Sequence, residues 1–130
     1  MPRHSHPALL VLGLVTAAGA IPHAIGGWPP AAVALGTAGV DPDLIGGIAA
    51  GWYFGSAAML AFGAIVVLAW RDARAGGDFG WRAALAVAAT YLAFGLGALA
   101  VRGVRPHFLG FVAIGAGLAW TSLRARPGRS

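Results

Sequence analysis

The sequence predicts an all-α protein: an antiparallel bundle of four transmembrane helices that forms one integral membrane domain over residues 1–130. Hydrophobic residues make up 58% of the chain and charged residues 10%, whereas about a quarter of an average soluble domain is charged. The charged residues are also segregated, because they leave four long uncharged runs and gather in the short segments between them. A helix needs roughly 20 residues to cross a hydrocarbon core, and uncharged runs of about that length are typical of membrane spans.

The first span is predicted over residues 7–27, where His23 is the single titratable side chain. Trp28-Pro29-Pro30 is expected to end it, since a pair of prolines does not continue a regular helix. The next ten residues, 31–40, are apolar but too short to cross. We expect them to lie at the interface or to re-enter the membrane shallowly.

A cleaved signal peptide is the competing interpretation of the amino terminus. Arg3, an apolar run and then Ala18-Gly19-Ala20 match the small-residue cleavage pattern. The apolar character continues past Ala20, which favours a retained helix.

The second span is predicted over residues 42–70 and has a clear start. Asp41 is expected to be the N-cap, Pro42 the first helical residue, and Asp43 the charge that complements the positive end of the helix. Residues 44–70 then run for 27 positions without a charge.

The third span is predicted over residues 82–102 and the fourth over 106–123. Gly76-Gly77 is expected to break the second helix, and Asp78 to cap the third. The short turn between the last two spans makes them an antiparallel hairpin, and a basic tail, 124–130, follows the fourth.

The distribution of arginine predicts the orientation. Seven arginines fall on the side of the termini (Arg3, Arg71, Arg74, Arg82, Arg124, Arg126 and Arg129), and two, Arg102 and Arg105, fall on the other side. The positive-inside rule therefore places both termini in the cytoplasm. The bias toward alanine, glycine and arginine favours a bacterial inner membrane. The net charge of +5 is explained by this topology and by the lipid bilayer as partner, without nucleic acid.

Small residues recur every fourth position on three of the predicted helices, including Ala113 and Gly117 on the fourth. Gly47, Gly51 and Gly55 form this seam on the second helix, and Ala89, Ala93 and Gly97 repeat the spacing on the third. Such seams let helix backbones approach closely in lipid. We expect them to pack the bundle, or alternatively to contact a membrane-protein partner or a second copy of the chain.

The candidate ligand-binding residues gather at the predicted outer end: His23, Tyr53, Arg102, Arg105 and His107. With Asp41 and Asp43 they could bind an anionic headgroup, a metal or an axially ligated haem, or they could have only an interfacial structural role. Four hydroxyl-bearing residues fall near mid-membrane: Thr16, Ser56, Thr90 and Tyr91. These hydroxyls are expected to bond carbonyls of their own helices or to line a small polar cavity.

The amino-acid composition argues against several activities. The chain has no Cys, Lys, Glu, Asn or Gln, so thiol chemistry and cysteine-ligated clusters are excluded. All four Asp lie in predicted loops or helix caps, whereas a proton-coupled exporter needs a carboxylate within the membrane. The sequence also contains no catalytic motif of the GxSxG, HExxH or Walker type.

Two glycine-rich stretches, GAIPHAIGG at the end of the first span and GWYFGSAAMLAFG in the second, resemble small bacterial four-span membrane proteins of a broadly DoxX-like kind. The resemblance implies four helices and carries over no catalytic residue. The favoured function is a non-enzymatic accessory or assembly component of the membrane. The alternatives are binding or conversion of a small lipophilic ligand (quinone, lipid or haem) in the outer half of the bundle, and a small oligomeric transporter or channel.

Overall fold

The computed structural model describes residues 6–126, and it confirms an all-α fold with no strand in that range. Its helical segments are α1 (Pro7–Ala18), a π-helical segment (Pro22–Gly27), α2 (Trp28–Thr37), α3 (Pro42–Ala75), α4 (Gly80–Arg102) and α5 (Pro106–Arg124). Four helices are long and apolar enough to cross a membrane: Pro7–Thr37, Pro42–Ala75, Gly80–Arg102 and Pro106–Arg124. The chain is therefore a multi-pass membrane protein.

The first span is longer than the sequence suggested, because α1, the π segment and α2 form one helix of 31 residues. The expectation that Trp28-Pro29-Pro30 ends this helix was wrong. The two prolines fall in the first turn of α2, where a missing N–H is tolerated, directly after π turns that already shift the hydrogen-bond register. Residues 31–37 therefore continue the span. Arg3 and the tail beyond Arg126 lie outside the described residues.

The capping prediction was right at one helix and wrong at another. Asp41 caps α3, since its carboxylate accepts from the backbone N–H of Asp43 at 2.8 Å and of Leu44 at 3.3 Å. Asp78, in contrast, does not cap α4, because Phe79 occupies the N-cap position without a side-chain bond. Asp72 Oδ2 instead accepts from the N–H of Gly80 at 2.7 Å, and so ties the end of α3 to the start of α4.

Close backbone contact at glycines holds the helices together in antiparallel pairs. A Cβ added to Gly63 of α3 would lie 2.5 Å from the backbone nitrogen of Ala17 in α1. A Cβ added to Gly95 of α4 would lie 2.8 Å from Val112, and one added to Gly115 of α5 would lie 2.9 Å from Leu92. Buried side chains from α1, α3, α4 and α5 fill the space between the two pairs: Leu9, Val66, Ala69, Ala84, Val87, Ala88, Tyr91 and Leu118.

The small-residue seams predicted from the sequence do not lie at these helix contacts. A Cβ at Gly47 or Gly51 would have nothing within 4 Å, and one at Gly55 would meet only the His23 ring at 3.6 Å. Ala89, Ala93 and Gly97 are exposed on the outside of α4. Within the described chain these seams therefore make no close helix contact, and a partner helix for them would have to come from another chain.

We predict that Gly63→Ala destabilises the bundle by about 1–3 kcal/mol, because the added methyl group meets backbone that cannot yield. Gly51→Ala, in open space on the same helix, should leave stability unchanged or slightly raised, since alanine favours the helix. The measurement is unfolding in detergent by titration with SDS, followed by far-UV circular dichroism. Equal destabilisation by the two variants would contradict this assignment of the packing face.

Candidate functional site

His23 lies deep in the first span rather than at its outer end. Because the helix continues to Thr37, fourteen residues follow His23 before the span ends, roughly 20 Å at the usual helical rise. The imidazole therefore sits well inside the predicted hydrocarbon layer. A polar ring at that depth requires hydrogen-bond partners from the protein.

Two residues of α3, one helical turn apart, supply those partners. His23 Nδ1 lies 2.8 Å from Ser56 Oγ, and Trp52 Nε1 donates to the His23 carbonyl at 2.7 Å. The Trp52 indole also stacks on the imidazole, with ring centroids 4.6 Å apart and planes 13° from parallel. Gly27 makes room for the indole, because a Cβ there would lie 2.6 Å from Trp52 Cζ2.

These bonds favour one tautomer of the neutral imidazole. Ser56 Oγ lies 3.2 Å from the Trp52 carbonyl and 2.8 Å from His23 Nδ1. The arrangement in which Ser56 donates its single hydroxyl hydrogen to the carbonyl and accepts from the ring satisfies both contacts, and it favours the tautomer with the proton on Nδ1. Nε2 keeps its lone pair and has no hydrogen-bond partner among the described residues.

His23 is at one end of an apolar groove of about 190 Å³. The groove opens on one side, and its walls come from α3, α4 and α5: Gly55, Ala58, Met59, Phe62, Thr90, Tyr91, Phe94 and Phe111. Ring contacts join these walls, with centroid distances of 5.4 Å between Tyr91 and Phe111 and 4.8 Å between Phe94 and Phe111. An interlocked aromatic wall of this kind keeps its shape without a ligand.

The other polar groups near the groove are already bonded or face away from it. Thr90 donates to the Ala86 carbonyl at 3.1 Å, and Thr16 donates to Leu12 at 2.7 Å. Together with Ser56, they confirm the expectation that mid-membrane hydroxyls bond carbonyls four residues back. The Tyr91 hydroxyl is buried without a hydrogen-bond partner in the described chain. Among the polar residues that line the groove, His23 is thus the one with a ring nitrogen, Nε2, that forms no hydrogen bond within residues 6–126.

Most of the candidate residues predicted from sequence do not meet at this groove. Tyr53 packs its ring against Trp28 at 6.4 Å, and His107 packs against Phe108 at 4.1 Å. Arg102 and Arg105 are exposed at the turn between α4 and α5. None of these four lines the groove, and residues 6–126 hold no group of three or more His or Asp side chains that could bind a metal ion.

Sequence reasoning missed the partners of His23 and the aromatic wall. A signal was present in the sequence, since Trp52 and Ser56 are four residues apart and therefore share a face of α3. What was missing was the register between α1 and α3, which places that face opposite His23. The aromatic residues of the wall come from three different helices and carry no local pattern.

No family model matches the sequence, and no curated protein or solved structure is significantly similar to it. The DoxX-like resemblance therefore stays a prediction. The functional interpretation depends on the geometry of the groove.

We predict that Ser56→Ala abolishes the preference of His23 for the Nδ1–H tautomer, because it removes the acceptor that holds the proton there. The measurement is a long-range ¹H–¹⁵N correlation spectrum of the protein in micelles with ¹⁵N-labelled histidine. Thr90→Ala is the matched control, since that hydroxyl is bonded within its own helix. An unchanged tautomer in the Ser56 variant would contradict the assignment.

Proposed function

We propose that this protein binds a small lipophilic molecule whose head group carries a hydroxyl, such as a quinol. The observation that carries the proposal is that His23, whose Nε2 forms no hydrogen bond within residues 6–126, lines an apolar, aromatic groove between membrane-spanning helices. Ligand pockets typically combine apolar walls with a few fixed polar groups, and this groove has that composition.

The tautomer selects between ligand classes. A lone pair accepts a hydrogen bond, so the head group must donate one. A quinone carbonyl can only accept a hydrogen bond. It would leave its own oxygen and His23 Nε2 unpaired in an apolar site, which makes the binding free energy less favourable by about 1–3 kcal/mol. A quinol hydroxyl pairs with Nε2 directly.

The size of the groove restricts the ligand further. At about 190 Å³ it is smaller than the roughly 300–1,000 Å³ of pockets that enclose a drug-sized molecule. It suits one ring, with the tail of the molecule leaving through the open side into lipid. A haem macrocycle fits poorly, because the groove is small and His107 does not face His23 as a second axial ligand.

The protein is proposed to lie in a bacterial inner membrane with both termini in the cytoplasm. The arginine bias supports this orientation. In that orientation Phe111 and Phe94 are within about 12 Å, by helical rise, of the outer turn between α4 and α5, so the groove lies toward the outer ends of these two helices. A lipophilic ligand would enter it sideways from the bilayer.

An accessory role through docking of helices is the second candidate. The observation that favours it is the open space over Gly47 and Gly51, which leaves the seam available to a transmembrane helix of another chain. The seam and the groove share a face of α3, because Gly55 belongs to both, so a docked helix would cover Gly47 and Gly51, nearer the start of α3.

We predict that a decyl hydroquinone binds the purified protein at least about tenfold more tightly than the corresponding benzoquinone, because the two have nearly the same shape and differ in the ability to donate to Nε2. Isothermal titration calorimetry in detergent micelles measures both. His23→Ala should remove the preference, and Ala58→Phe should block both ligands by filling the groove. His107→Ala, outside the groove, is the control that should bind like the native chain. A preference for the benzoquinone, or normal binding by Ala58→Phe, would refute the proposed site.

The proposed topology predicts opposite reporter activities on the two sides of the membrane. Alkaline phosphatase fused after Gly39 or Gly103 should be active, whereas fusions after Gly77 or at the carboxyl terminus should be inactive, because the enzyme folds only after export. Reporters of cytoplasmic location, such as green fluorescent protein, should show the reverse pattern. Phosphatase activity at Gly77 would overturn the orientation.

A further inference from the structure

Two arginines share one tryptophan at the end of the bundle where α4 begins and α5 ends. The guanidinium of Arg82 lies 5.4 Å from the centroid of the Trp81 ring, and that of Arg126 lies at the same distance from the same ring. Arg82 belongs to the first turn of α4, whereas Arg126 follows α5. The antiparallel pairing of these helices brings the two charges together.

Neither guanidinium is neutralised within the described chain. No ion pair joins Arg82 or Arg126 to a carboxylate in residues 6–126. Asp41 and Asp43 lie at the opposite end of α3, and Asp72 accepts the N–H of Gly80. Asp78 is exposed in the connection before α4 and forms no ion pair with either arginine. Two cations that contact one indole, without an ion-pair partner in residues 6–126, form an incomplete arrangement.

The position of this cluster indicates what completes it. Trp81 is half-buried at the boundary between an apolar span and a polar connection, which is the depth at which tryptophan meets lipid headgroups. Guanidinium groups recognise phosphate oxygens with paired hydrogen bonds.

We propose that Arg82, Trp81 and Arg126 form a binding site for the phosphate of an anionic phospholipid, with the acyl chains of the lipid lying along α4 and α5. The site is independent of the groove beside His23, because it lies at the other end of α4. It fixes one lipid to the protein, in addition to the general attraction between basic residues and an anionic membrane surface.

Native mass spectrometry of the full chain in mild detergent tests the proposal, with phosphatidylglycerol and phosphatidylcholine as probes. We expect one phosphatidylglycerol to be retained per chain and phosphatidylcholine to be bound much more weakly. The double variant R82Q/R126Q should lower the affinity for phosphatidylglycerol by roughly 30-fold. Its matched control is R71Q/R74Q, which removes the same charge from the same side of the bundle but leaves the Trp81 cluster intact, and which should change the affinity by less than about threefold.

Equal losses in the two double variants would overturn the proposal, because they would show general electrostatic attraction without a built site. Displacement of the lipid by an equal concentration of inorganic phosphate would also overturn it, since the acyl chains would then contribute nothing. If R82Q/R126Q loses its helical circular dichroism, Trp81→Leu takes its place: it keeps both charges and should weaken binding several-fold by removing their common platform. Unchanged binding by Trp81→Leu would likewise refute the site.

Discussion

The close contact between α1 and α3 is the constraint on which the rest of this structure depends. Gly63 lets the backbone of α3 approach Ala17 at a distance that a side chain would prevent. In lipid, where hydrophobic exclusion does not drive helices together, such van der Waals contact is a main source of association. It also determines the register of the two helices, and that register brings His23 opposite Ser56 and Trp52.

The environment of His23 follows from this register and from the cost of a polar group in hydrocarbon. Ser56 bonds Nδ1 of the imidazole, and Trp52 donates to the backbone carbonyl of His23. The ring is therefore held in one orientation. Holding the ring by Nδ1 leaves Nε2 as the atom that a ligand can meet. The same bonds that make a buried histidine tolerable therefore define what it can recognise.

The fold could be predicted from the sequence because lipid is a demanding solvent. It requires long uncharged helices and confines arginine and aspartate to the helix ends. Composition and charge placement were therefore sufficient to predict the four helices. The end of the first helix was not predictable in the same way, since Pro29 and Pro30 normally stop a helix and are accommodated here by π turns before them. The packing faces were missed for another reason: alanine and glycine recur so often in α4 that Ala89 and Ala93 fit the pattern as well as Ala84 and Ala88, which are the residues that are buried.

Of the five residues predicted as a ligand-binding set, His23 alone lines the groove, although Ser56, Thr90 and Tyr91, predicted as mid-membrane hydroxyls, also belong to the site. The depth of His23 was misjudged because the first span was taken to stop too early, and this error also grouped it with His107, Arg102 and Arg105. The groove is formed by side chains from three helices whose relative rotation is decided by glycine contacts. No single stretch of sequence encodes that rotation.

The unequal lengths of α3 and α5 have a mechanical consequence for the bilayer. The 27 uncharged residues of α3 extend about 40 Å, whereas the 19 residues of α5 extend about 28 Å, against a hydrocarbon layer of about 30 Å. The longer helix, α3, must tilt or locally thicken the bilayer, whereas the shorter helix, α5, need not. Membrane thickness therefore acts on the tilt of α3: a thin bilayer favours a larger tilt of this helix and a thick bilayer a smaller one.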